Sequence, residues 1–216
     1  MSRLLFAARI LGSFALLLTS ALPSLAGPPL ICHPFDIGTA TSLPFGSVGE
    51  GWRGWQNTLP SYDRTRLVDD TLALLTPATP VIVRMETLRR ASAYSVDEPA
   101  LANRLLAALA ARTTKAPRTP AEGLASFDHG YLVETYRQLG ERGVAVNPTI
   151  ATVDGYALVK AALAQMPSDA GLQFAAALIT ESPAKRAHHL AHLQKAREMA
   201  KSDALVARNV ASHLSN

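Results

Sequence analysis

The sequence predicts an all-α protein: about eight helices in antiparallel hairpins, forming an irregular α-solenoid or a helical bundle, preceded by an irregular N-terminal arm. Three observations predict it. Apolar residues recur at helical spacing through most of the chain after Tyr62, and prolines, hydroxyls or carboxylates stand where helices would begin. The one candidate strand, Val144 to Ala151, is broken by Asn147-Pro148 and reads as a linker.

The chain divides into three parts. Residues 1–26 read as a signal peptide: Arg3 and Arg9 precede an apolar run from Ile10 to Leu22, and Ser24-Leu25-Ala26 offers a cleavage site before Gly27. The run is short for the roughly 20 residues of a membrane-spanning helix, and no later segment is apolar enough to span, so the processed chain is expected to be exported, periplasmic or secreted. Residues 27–60 hold both tryptophans and many of the glycines and prolines without any period, and read as an irregular arm lying across the body. Residues 61–216 read as the helical-hairpin domain.

Within that domain a first helix is expected from about Asp63 to Leu75, with Leu67, Val68, Leu72 and Leu75 on one face and Pro77 ending it. Thr79 is expected to cap a second, opened by Pro80, whose missing N–H costs nothing at a helix start. Its apolar side is Val81, Met85 and Leu88, while Arg84, Glu86, Arg89 and Arg90 read as a solvated face, with Arg89-Arg90 available for carboxylates between helices. Asp97 and Pro99 open a third helix, to about Arg112. Thr119-Pro120-Ala121-Glu122 is a capping box with a proline start, followed by a long helix burying Leu124, Phe127, Tyr131 and, with them, Leu132 and Tyr136. Asp154-Gly155, Ser168, Ser182-Pro183 and Ser202-Asp203 mark the remaining four starts.

Charge excludes one class of partner. Without residues 1–26 the chain carries 19 basic and 17 acidic residues, too small a surplus to hold a nucleic acid, and export removes most such partners. The single cysteine, Cys32, cannot close a disulfide within the chain.

Four groups of residues could carry chemistry. His188 and His192 lie four apart, one turn along a single helix face, and could together bind zinc or copper; the plainer reading is a solvated face beside Lys185, Arg186 and Lys195. Cys32-His33-Pro34-Phe35-Asp36 puts a thiol, an imidazole and a carboxylate close together, although adjacent side chains of an extended backbone point apart, so a Cys–His pair would need another histidine such as His129. Trp52 and Trp55 could form an aromatic platform for a peptide or glycan, or plug the end of the helical core. Asp69 and Asp70 point about 100° apart and make a poor acid–base pair. No phosphate loop, paired-cysteine metal motif, nucleophile turn or metalloprotease motif occurs, and no cofactor is expected.

Ser168-Asp169-Ala170 recurs 34 residues later as Ser202-Asp203-Ala204, each time opening an alanine-rich helix. In this spacing the C-terminal quarter resembles the tetratricopeptide repeat, with Ala175, Ala176, Ala177 and Ala196 at its small positions and Leu193 as a large neighbour. The family's early Trp and Gly-Tyr pattern is missing. A second echo, Gly130-Tyr131 against Gly155-Tyr156, has a different period. The resemblance implies a protein-binding scaffold with a concave groove. The expectation is therefore a non-catalytic protein- or peptide-binding scaffold; the alternative is an enzyme or metal-binding protein with a site between arm and body, using Cys32, His33, Asp36 or His129. A third reading makes the chain an assembly subunit joined through Cys32.

Overall fold

Carboxylates and prolines open most of the helices. The structure, a computed structural model, describes residues 29–46, 57–141 and 148–214. Among the described residues there are eight α-helices and no strand: α1 (Leu67–Leu74), α2 (Val81–Ser95), α3 (Pro99–Ala111), α4 (Pro120–Glu141), α5 (Gly155–Gln165), α6 (Ala170–Ile179), α7 (Arg186–Met199) and α8 (Ala204–His213). None is long and apolar enough to cross a membrane. Residues 1–26, expected to be a signal peptide, lie outside the described residues, as do Trp52 and Trp55.

Asp154, Asp169 and Asp203 start α5, α6 and α8 in the same way. Each carboxylate accepts from a backbone N–H that the helix leaves unpaired, those of Ala157 (2.9 Å), Leu172 (2.8 Å) and Val206 (3.0 Å). The Ser-Asp-Ala echo thus marks shared capping chemistry, and the cap of α6 is Asp169 rather than the expected Ser168. At α4 the Thr119 hydroxyl accepts from the Glu122 N–H at 3.2 Å, but the Glu122 carboxylate turns to the N–H of Arg118 at 2.6 Å. Thr79 does not cap α2. Its hydroxyl donates to the Leu74 carbonyl at 2.7 Å, tying down the end of α1 instead.

Helix α2 is the axis of the molecule. It touches α1, α3, α4 and α6, and of its residues only Arg90 escapes full burial. The solvated face expected for Arg84, Glu86 and Arg89 is therefore a buried one, because the arm and α4 cover it. Arg84 donates to Asp128 of α4 at 2.6 Å and to the Thr79 carbonyl at 3.0 Å. Burial pushes the Asp128 carboxyl up to about 6, against the pull of Arg84 and Arg112.

Helices α4 and α5 cross most closely where the two Gly-Tyr pairs meet. A Cβ on Gly130 would stand 2.5 Å from the Gly155 carbonyl oxygen, and one on Gly155 would stand 2.6 Å from that of Gly130. Only glycine at both positions lets the backbones approach so far. The expected buried stripe of α4 is all within the core: Leu124, Phe127, Tyr131, Leu132 and Tyr136. Helix α6 is buried along its whole length, and Ala175, Ala176 and Ala177 with Ala196 of α7 are fully enclosed.

Candidate functional site

Residues 29–46 lie along α2 and α8 as an irregular strap, turning at Gly38, whose backbone is held by side chains. Leu30, Ile31, Cys32, Phe35 and Leu43 are buried, their apolar area supplying the driving force for docking. Glu86 accepts from the Phe35 N–H at 3.0 Å and Gln138 accepts from the Leu30 N–H at 3.1 Å. Arg90 donates to the Leu43 carbonyl at 2.6 Å and Tyr94 to that of Pro44 at 2.6 Å. Asn209 of α8 grips one residue twice, accepting from the Asp36 N–H at 2.9 Å and donating to the Asp36 carbonyl at 2.8 Å. Burial pushes the Glu86 carboxyl up, but the guanidinium groups of Arg89 and Arg90, bonded to it at 2.7–2.8 Å, more than offset this and hold it below the usual range.

The candidates from the arm are thereby separated. Cys32 is only 4% exposed, which puts its thiol out of reach of a second chain. The exposed His33 ring meets the edge of His213 at 6.0 Å, and Asp36 pairs with Arg208 at 2.5 Å. His129 belongs to a different place, its Nδ1 lying 3.4 Å from the Thr113 hydroxyl. The arm–body junction and His129 do not form one constellation.

On α7, both ring nitrogens of His192 are engaged: Nε2 lies 2.8 Å from the Tyr156 hydroxyl and Nδ1 lies 2.8 Å from Gln173 Oε1. His188 lies against the same tyrosine, ring centres 5.6 Å apart. Burial, then the positive field of Lys195, His188 and His189, lowers the His192 pKa to about 4. Its ring serves as a neutral bridge between α5, α6 and α7: Nδ1–H donates to the Gln173 oxygen, and the one lone pair a metal would need, on Nε2, accepts from the Tyr156 hydroxyl. Among the described residues no three His, Cys, Asp or Glu side chains are grouped to hold a metal ion.

An apolar concavity lies elsewhere. Asn103, Leu106, Ala107 and Ala110 follow one another at helical spacing on one face of α3, and His129 and Val133 stand one turn apart on α4. Between them and Ile150 and Val153 is a cleft of about 290 Å³. It stays open because alanines at 107 and 110 are too short to reach across. Burial lowers the His129 pKa, so at neutral pH the wall presents an uncharged imidazole able to donate at one nitrogen and accept at the other.

No family model, curated protein or solved structure matches the chain.

His129 entered the sequence reading only as a spare histidine for Cys32. The Asn103–Ala110 seam was legible as one face of a helix, but that it faces Ile150 and Val153 depends on how the chain returns after α4.

Proposed function

We propose that the chain is an exported, non-catalytic binding protein whose α3–α4 cleft receives an apolar side chain of a protein or peptide partner. The observation that carries this is the cleft's lining: Leu106, Ala107, Ala110, Val133, Ile150 and Val153 form its apolar walls, with Asn103 and His129 as the polar groups. Apolar walls supply affinity, and a few fixed donors and acceptors orient a backbone amide beside the inserted side chain. At about 290 Å³ the cleft is at the small end of the roughly 300–1,000 Å³ of small-molecule sites, a size suited to one or two side chains. The packed α6–α7 pair, built on enclosed alanines, suits a helical-hairpin scaffold of the kind the tetratricopeptide resemblance implies. The three-part layout of residues 1–26 supports export.

The test is selection of a random peptide library on the purified protein, with Ala107→Trp as the counter-screen. Ala107 is exposed, so the indole fills the cleft without entering the core. Enriched peptides should share an apolar anchor and lose binding to the variant. Failure to enrich any sequence, or enrichment indifferent to Ala107→Trp, would overturn the reading. Export is tested by sequencing the N-terminus of protein recovered outside the cytoplasm: it should begin at Gly27, and an intact Met1 would refute processing.

A further inference from the structure

The charge of this chain is segregated. The 216 residues carry a formal net charge of +4, from 21 basic and 17 acidic side chains. Residues 185–201 alone contain five bases, Lys185, Arg186, Lys195, Arg197 and Lys201, against one acid, Glu198. The remainder holds 16 of each sign, so the entire surplus sits on α7 and its two flanking turns. Three of the six histidines are there as well.

Helix α7 lies at the edge of the fold. One side packs on α6 and α8 through Leu193, Ala196 and Met199, and the other side is uncovered among the described residues. On the uncovered side Ala187, Leu190, Ala191 and Gln194 fall at i, i+3, i+4 and i+7, a single exposed seam that Glu198 ends at i+11, two turns beyond Leu190. Leu190, 49% exposed, is the one exposed large apolar side chain among the described residues. Helical rotation sets Arg186 and Arg197 along one flank of the seam and His188 and Lys195 along the other. Lys185 and Lys160 extend the second flank, their ammonium nitrogens 5.5 and 5.0 Å from the centre of the Tyr156 ring. Among the described residues no carboxylate forms an ion pair with Lys160, Lys185, Arg186 or Lys195.

We infer that the outer face of α7 is a docking surface for an acidic amphipathic helix of another protein. A seam with alanine above and below a leucine lets a second helix approach closely, and bases on both flanks match a partner whose apolar stripe is bordered by Glu or Asp. An anionic bilayer fits the charge but not the seam. One leucine between alanines offers too little apolar area to enter the headgroup boundary, where interfacial helices use several large side chains. This surface is separate from the α3–α4 cleft, and neither proposal depends on the other.

The test measures fluorescence anisotropy of a labelled peptide of about 20 residues, built of Glu and Ala with leucines at every third or fourth position so that one helix face is apolar. Comparators are a peptide of identical composition with the leucines scattered, the same amphipathic peptide with Lys in place of Glu, and phosphatidylglycerol vesicles. The acidic amphipathic peptide should bind, and Leu190→Asp, which alters an exposed side chain, should weaken it at least about tenfold. Binding should also fall as salt rises from roughly 50 to 500 mM. The double variant Arg186→Glu, Lys195→Glu should lose the acidic peptide and gain the lysine one. Equal binding of the scattered peptide, indifference to Leu190→Asp, or binding to vesicles alone would each overturn the inference.

Discussion

Replacing Glu86 by Gln tests whether the arm is locked to the helical body by a buried charge. The carboxylate is fully enclosed and accepts four hydrogen bonds: from the Phe35 N–H at 3.0 Å, from Arg89 at 2.7 and 2.8 Å, and from Arg90 at 2.7 Å. Glutamine keeps the shape but turns one acceptor oxygen into a donor NH2, which then faces donors. It also leaves the enclosed Arg89 guanidinium beside a neutral group. Breaking a buried pair by removing one partner costs about 3–5 kcal/mol, whereas an exposed pair contributes at most about 1 kcal/mol. With a urea dependence of roughly 2 kcal/mol per molar, the unfolding midpoint should fall by about 2 M. Arg64→Ala, which removes the exposed pairs with Asp97 and Glu98, is the internal control and should shift the midpoint by less than about 0.5 M. The assay is equilibrium urea unfolding followed by circular dichroism. If Glu86→Gln shifts the midpoint no more than Arg64→Ala does, the carboxylate is not the lock described.

Three further outcomes follow from the packing and the buried ionisable groups. Gly130→Ala forces a Cβ to within 2.5 Å of the Gly155 carbonyl oxygen, and overpacking at about 1–3 kcal/mol outweighs the gain of up to about 1 kcal/mol in helix propensity. Its melting temperature should drop by several degrees, and an unchanged or higher value would contradict the α4–α5 crossing. Asp128, raised to about 6 from 3.8, holds a proton in the folded state that the unfolded chain has released, so its contribution to stability falls as pH rises from about 4 to about 6. Relative to wild type, Asp128→Asn should therefore gain about 1–3 kcal/mol across that window, and a pH-independent difference would refute the assignment. His192, lowered from 6.5 to about 4, acts with the opposite sign: the unfolded ring takes up a proton first, so stability is lost as pH falls from 6.5 towards 4. His192→Gln should remove that loss, about 1–2 kcal/mol after allowance for the ring's partial exposure, as read from urea midpoints at pH 4 and pH 7.

What could be read from the chain was what depends on neighbours in sequence. Asp154 and Asp203 cap the helices expected of them, and the stripe of α4 from Leu124 to Tyr136 is buried as its spacing requires. Helix α2 was misread because periodicity distinguishes inside from outside only when a helix has an outside. Enclosed on nearly every side, α2 buries far more than its stripe of Val81, Met85 and Leu88, and Arg84, Glu86 and Arg89 look like solvent-facing charges until Phe35, some fifty residues earlier, and Asp128, some forty later, arrive to pair with them. The same distance in sequence hides the link from Tyr156 through His192 to Gln173. The cleft was invisible for a related reason: alanines at 107 and 110 announce a good helix former, while the emptiness beside them arises only once Ile150 and Val153 close the third wall.

The account turns on the helical body being sheathed by its own N-terminal strap, which docks on α2 and α8 and stands apart from the apolar α3–α4 cleft. Amide hydrogen exchange resolved by residue tests this most directly, by comparing Leu30, Phe35 and Asp36 with the central turns of α2. The N–H groups of these three are bonded to Gln138, Glu86 and Asn209, so they should be slowed by orders of magnitude relative to an unstructured chain, at a rate close to that of α2. Exchange of all three at the unprotected rate, with α2 still protected, would show an undocked arm and contradict the account.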